Sequence, residues 1–90
     1  MKRYEIALTR SASKELDRLP VKTRERIITH LRQLETDPRL PGSEKLKGID
    51  AHKLRVGDLR IIYQVDDSER AVRVVMVEDR KQVYRRLKKK

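Results

Sequence analysis

Three short runs of alternating apolar and polar residues fill the second half of the chain. They constrain its fold more than anything else in it. His52, Leu54 and Val56 alternate with Lys53 and Arg55, and Leu59, Ile61, Tyr63 and Val65 alternate with Arg60, Ile62 and Gln64. Residues 71–77, AVRVVMV, are almost continuously apolar. A period of two marks a half-buried strand, and an apolar run marks a central one. Gly57-Asp58 and Asp66-Asp67-Ser68-Glu69 separate the runs, as turns separate the strands of a meander. Gly-Asp is a weaker hairpin signal than Asp-Gly. A three-stranded antiparallel meander is the expected result. One face of such a sheet needs a cover and the other can stay wet.

The first half of the chain supplies the cover. Tyr4, Ile6 and Leu8 alternate with Arg3, Glu5 and Ala7, which reads as an N-terminal strand joining the same sheet. Ala12, Leu16 and Leu19 are spaced four and three apart, the signature of one helix face. Thr9 and Ser11 are both of the N-cap type, and Pro20 ends that helix because it disfavours helix at Leu19. Ile27, Ile28, Leu31 and Leu34 form the stripe of a second helix, from about Val21 to Glu35. Asp37-Pro38 ends it, which completes a helical hairpin. Residues 37–50 hold two prolines, two glycines and a serine and read as a loop. Residues 81–88 read as a short C-terminal helical turn, and 88–90 as a disordered tail. The fold class expected is therefore α+β: N-terminal strand, helical hairpin, three-stranded meander. All 90 residues form one domain, because a chain of this length has no room for a second core.

The charge is uneven. The formal net charge is +10, and residues 80–90 carry seven cations and no acid. Residues 45–60 carry Lys45, Lys47, Lys53, Arg55 and Arg60 against Asp50 and Asp58. A concentrated basic half is the footprint of a polyanion-binding surface, and it suits an acidic protein partner equally well. Strand parity puts Lys53 and Arg55 on one face, with Leu54 and Val56 on the other. One hairpin register adds Arg60 to the same open face. The chain has no cysteine, which excludes a disulfide framework and a thiolate metal site. No run approaches the roughly 20 apolar residues of a membrane span, and the N-terminus shows no signal peptide. Cytoplasm is the default compartment, with no membrane partner expected.

The strings KLKG, HKLRVGDLRIIYQVDD and VVMVEDRKQVYRR, after SASKELDRLP and VKTRERIITHL, resemble the RelE group of the RelE/ParE toxin superfamily. The resemblance covers nearly the whole chain. It implies a small toxin that cleaves mRNA in the ribosomal A site without a metal or other cofactor. It also implies a cognate acidic antitoxin, held in a toxin–antitoxin hetero-oligomer. In the chemistry it implies, the 2′-hydroxyl attacks the adjacent phosphate and leaves a 2′,3′-cyclic phosphate and a 5′-hydroxyl. Lys53 and Arg55 fall on the family's basic pair, Arg60 on its next-strand arginine, Arg80 on the arginine after the last strand, and Tyr84 on the C-terminal tyrosine. Many relatives read V-G-H-R where this chain reads Val77-Glu78-Asp79-Arg80, so two acids replace a glycine and a histidine.

That chemistry needs a base, cations for the phosphorane and an acid for the leaving oxygen. Arg60 and Arg80 suit the phosphate, with Arg55 assisting, because a guanidinium donates two bonds at once and stays charged. Lys53 and Tyr84 both remain open as the base, each needing neighbouring cations to lower its pKa. Lys45, Lys47, Lys81, Arg85 and Arg86 are the expected contacts to mRNA and ribosomal RNA. Tyr4 and Tyr63 read as packing residues, and Lys88 to Lys90 as a solubilising tail. Two other functions use the same scaffold: a ParE-like inhibitor of DNA gyrase, and a module that binds RNA or a partner without cleaving anything.

Overall fold

A computed structural model describes residues 3–79. The helical turn and tail expected from residue 81 onward lie outside that range. The elements run β1 (Glu5–Leu8), α1 (Arg10–Asp17), α2 (Val21–Thr36), β2 (Ser43–Lys45), β3 (His52–Val56), β4 (Leu59–Asp66) and β5 (Ala71–Asp79). The five strands form one sheet in the order β1-β5-β4-β3-β2. β1 runs parallel to β5, and the other pairs are antiparallel. The architecture is the α+β arrangement expected, with one strand more.

That extra strand is β2, inside the stretch read as a loop. Its residues, Ser-Glu-Lys, have no apolar alternation to announce it. It exists because β3 offers an unpaired edge, which Ser43, Glu44 and Lys45 take up opposite Leu54, Lys53 and His52. A short, charged edge strand is also how sheets avoid pairing with other chains.

The helices begin and end on local chemistry. The Thr9 hydroxyl caps α1 by accepting from the Ala12 N–H at 3.2 Å, satisfying one of the free donors at a helix start. It also donates to the Val75 carbonyl of β5 at 3.2 Å. α2 starts straight after Pro20 and ends at Asp37. Ala12, Ile27, Leu31 and Leu34 bury against Leu54, Val56, Leu59, Ile61, Tyr63, Val72, Val74 and Val77. Both helices therefore lie on one side of the sheet. Tyr63 is fully buried and its hydroxyl donates to the Pro38 carbonyl at 2.8 Å. His52 stacks on Tyr63 with ring centroids 5.4 Å apart.

Two irregularities set the face opposite the helices. Gly57 and Asp58 join β3 to β4, with Gly57 at φ +61° and Asp58 not in the left-handed region. That is the type II′ pattern, which takes glycine first, so the Gly-Asp order fits after all. The turn fixes Val56 opposite Leu59, and hence Arg55 opposite Arg60 and Lys53 opposite Ile62. On β5 the register slips: Tyr63 faces Val74, but Ile62 faces Met76. Val75 is the extra residue of a β-bulge.

Candidate nucleic-acid interface

The helix-free face is built from the outward residues of β2 to β5. Across the sheet one row reads Glu44, Lys53, Ile62, Met76, and the next reads Arg55, Arg60, Glu78. Neighbouring strands lie about 4.8 Å apart, and successive same-face residues about 7 Å apart along a strand. Lys53, Arg55 and Arg60 thus stand side by side. Like charges directly opposite each other are unfavourable by a few tenths of a kcal/mol or more. The sheet nevertheless sets Arg55 against Arg60, and neither forms an ion pair with another described residue. Two unpaired guanidinium groups on one rung are a ready grip for a phosphate.

Two acids interleave with these cations. Glu44 lies 3.7 Å from the Lys53 ammonium, which is about a quarter exposed. Glu78 stands in register with Arg60. The sequence signalled neither position, because Glu44 required β2 and Glu78 required the bulge. From the helix-covered side, α2 brings a further cation to the hairpin tip, one that sequence reasoning did not single out. The Arg26 guanidinium nitrogens lie 3.7 and 3.8 Å from where a Cβ would stand on Gly57. Its signal was only its place early in α2, next to the hairpin tip in space and not in sequence.

The remaining expected residues divide. Lys45 faces His52 across β2 and β3, so its parity is that of the helix-covered side. Lys47 is exposed in the turn before β3. The structure brings neither together with Lys53. Arg80, Lys81, Tyr84, Arg85 and Arg86 lie outside the described residues. Neither histidine joins the face. His30 Nδ1 sits 2.8 Å from the Arg26 carbonyl within α2. His52 keeps the Tyr63 parity, and burial lowers its pKa.

Beyond Ile62 and Met76 the face turns acidic. At the end away from Gly57, Asp50, Asp66, Asp67 and Glu69 line a hollow of about 520 Å³ together with Gln64 and Arg73. Asp67 holds the far corner: it accepts from the Tyr4 hydroxyl at 2.6 Å and from both Arg39 guanidinium nitrogens, at 3.3 and 2.9 Å. Those bonds, from Arg39 first and Tyr4 second, hold its carboxyl down at about 2. Asp66 shapes the β4–β5 turn by accepting from Ser68 Oγ and the Glu69 N–H, the turn chemistry expected of it. Among the described residues, no group of His, Asp or Glu is arranged to hold a metal ion. No helix among them is long and apolar enough to cross a membrane.

A family model described as the ParE toxin of the type II toxin–antitoxin system, parDE, matches residues 6–84. Toxin RelE of Mycobacterium tuberculosis is 31% identical over 86 residues, which is 91% of this chain and 87% of its own length. A putative RelE-like toxin protein of Escherichia coli is 33% identical over 87 residues, 91% and 90% of the two chains. The isolated E. coli RelE toxin superposes with a TM-score of 0.76 at 30% identity, covering 96% of each chain. The toxin in the intact E. coli RelBE toxin–antitoxin complex gives 0.75 at 29%, covering 84% of this chain and 95% of that one.

Proposed function

This chain belongs to the RelE/ParE superfamily of type II toxin–antitoxin toxins, and from that premise we propose that it is a metal-free endoribonuclease acting on mRNA in the ribosomal A site, in the cytoplasm. The observation that carries the proposal is the set of Lys53, Arg55 and Arg60 on adjoining rungs of the face without helices. In this reading Arg60 and Arg55 hold the non-bridging oxygens of the scissile phosphate, with Arg80 joining them. They supply the charge stabilisation that in-line attack requires. The 2′-oxygen bonds to phosphorus as the 5′-oxygen leaves. Lys53 or Tyr84 takes the 2′ proton, and the 5′-oxygen gains one. The products are a 2′,3′-cyclic phosphate and a 5′-hydroxyl.

The test is to express the toxin in an active translation system and map mRNA 5′ ends. Codon-phased cuts that vanish in Lys53→Ala, Arg80→Ala or Tyr84→Ala support the reading. No phased cuts, with the alanine variants as toxic as the parent, would sink it. A partner follows from the same reading: a small acidic antitoxin that neutralises the basic face. The RelBE toxin–antitoxin complex of the E. coli relative supports it. A pull-down that recovers no small acidic protein would remove it.

A second reading draws on the two acids. Glu44 and Glu78 sit among the cations where a phosphate would lie, and the matching family model carries the ParE description. Both suit a toxin that inhibits DNA gyrase, or a module that binds without cutting. Accumulated DNA breaks with intact mRNA would replace the nuclease with the gyrase inhibitor.

A further inference from the structure

The bulge in β5 does more than interrupt a ladder. On an unbroken strand, inward Val72 and Val74 would carry Met76 inward and Val77 outward. The extra residue, Val75, reverses the order: Val77 is buried and Met76 is 41% exposed. Met76 then stands in register with half-buried Ile62, whose other neighbour is Lys53. A lone exposed methionine would be ordinary. Here two apolar side chains share a rung on a charged face, one row from Arg55 and Arg60, and a bulge puts them there. Bulges next to active sites re-aim side chains in this way.

We propose that Ile62 and Met76 form a seat for one nucleobase of the RNA whose phosphate lies on Lys53, Arg55 and Arg60. The proposal rests on the ribonuclease reading and adds the base subsite to it. A base carries an unsatisfied π face beside a charged backbone, and this surface repeats that pairing at the spacing of one row. Base-binding pockets commonly stack bases between aromatic or apolar side chains, and a thioether is a good partner for an aromatic ring. Tyr63 is buried in the core and Tyr4 is tied to Asp67, so neither described aromatic competes for the task. Charge selects the occupant. The cationic row attracts the phosphodiester, while at the far end Arg73 stands beside Asp66 and Glu69 and Arg39 pairs with Asp67, so no comparable run of cations continues past the seat. With no donor on either side chain and only the weak acceptor of the Met76 thioether, the seat selects by stacking and not by base edges.

The chain has two methionines, Met1 and Met76, so methyl-13C methionine labelling gives two signals, and Met76→Ala assigns them. The titrant is a short 2′-O-methyl oligoribonucleotide, which lacks the attacking hydroxyl. Its control is an abasic oligomer of equal length and charge. The Met76 methyl is expected to move upfield with the base-bearing oligomer and to stay in place with the abasic one. The Lys53 and Arg60 amides should respond to both. If the amides respond and the methyl does not, or moves equally with both oligomers, the nucleobase seat falls and the RNA reading stands. If nothing responds, both fall. A methyl that answers only to an acidic helical peptide assigns the pair to a protein partner and also overturns the seat. In 5′-end mapping, Met76→Ala should change which nucleotides flank the cuts. Arg60→Ala should lower all cuts alike.

Discussion

Tyr63 does two things that a phenylalanine would half complete. Its ring fills the core under His52, and its hydroxyl satisfies the Pro38 carbonyl. Tyr63→Phe keeps the packing and leaves that carbonyl without its donor, so it is expected to cost about 1 kcal/mol in urea denaturation. Asp67 makes a pH prediction. A carboxyl whose folded pKa lies below its unfolded value stabilises the fold above the unfolded value, and loses that contribution as pH falls through the folded one. For Asp67 the window runs from the ordinary 3.8 down to about 2. Asp67→Asn should therefore lower stability at neutral pH and flatten acid unfolding within that window. Tyr4 has the opposite sign, because its hydroxyl donates to Asp67 and its pKa is raised above 10.0. Its contribution is whole below 10.0 and fades as pH rises through the raised value. Tyr4→Phe should therefore flatten the alkaline limb, read by circular dichroism against pH.

At the scale of elements, Thr9 and Gly57 set the geometry that the functional face uses. Thr9 caps α1 and grips the carbonyl of the bulge residue Val75. Thr9→Ala is expected to cost about 1–2 kcal/mol, with faster amide exchange at Val75 to Val77 than elsewhere in the sheet. Equal exchange across β5 would separate the cap from the bulge. Gly57→Ala puts a side chain at φ +61°, which costs about 1–2 kcal/mol. The elements legible in the sequence were those with strong periodicity. Both helices followed from the spacing of Ala12, Leu16, Ile27, Leu31 and Leu34, and β3 and β4 from alternation about Gly57-Asp58. β2 was not legible, since three polar residues pair only because an edge is free. The bulge was hidden too: after Arg73 the run VVMV is apolar at every position, so nothing in it marks a slip of parity.

For the whole molecule the question is how a face that mixes cations with acids handles a polyanion. Lys53 and Arg55 shared a face by strand parity alone, whereas Arg60 joined them in only one hairpin register, which the Gly57-Asp58 turn sets in the structure. Glu78 could not be placed from sequence, because without the bulge Val77 would have faced Arg60 in its place. The acid thus sits one strand away from a guanidinium assigned to phosphate. A like charge at that range, on a partly exposed face, is worth under about 1 kcal/mol. Glu78→Gln is therefore expected to tighten RNA binding about two- to fivefold at low salt. The gain should shrink as salt rises, since the Debye length falls from about 10 Å at 0.1 M to about 3 Å at 1 M. Arg60→Ala should act in the opposite direction. It should lower the slope of log affinity against log salt by about 0.7, the value of one single-strand phosphate contact. Filter binding with single-stranded RNA across a salt series reads both effects. If Glu78→Gln changes nothing while Arg60→Ala loses its contact, the phosphate lies on the Arg55 side of Arg60, away from β5. If neither variant alters the salt slope, the sheet face is not where RNA binds, and the cations there serve a protein partner.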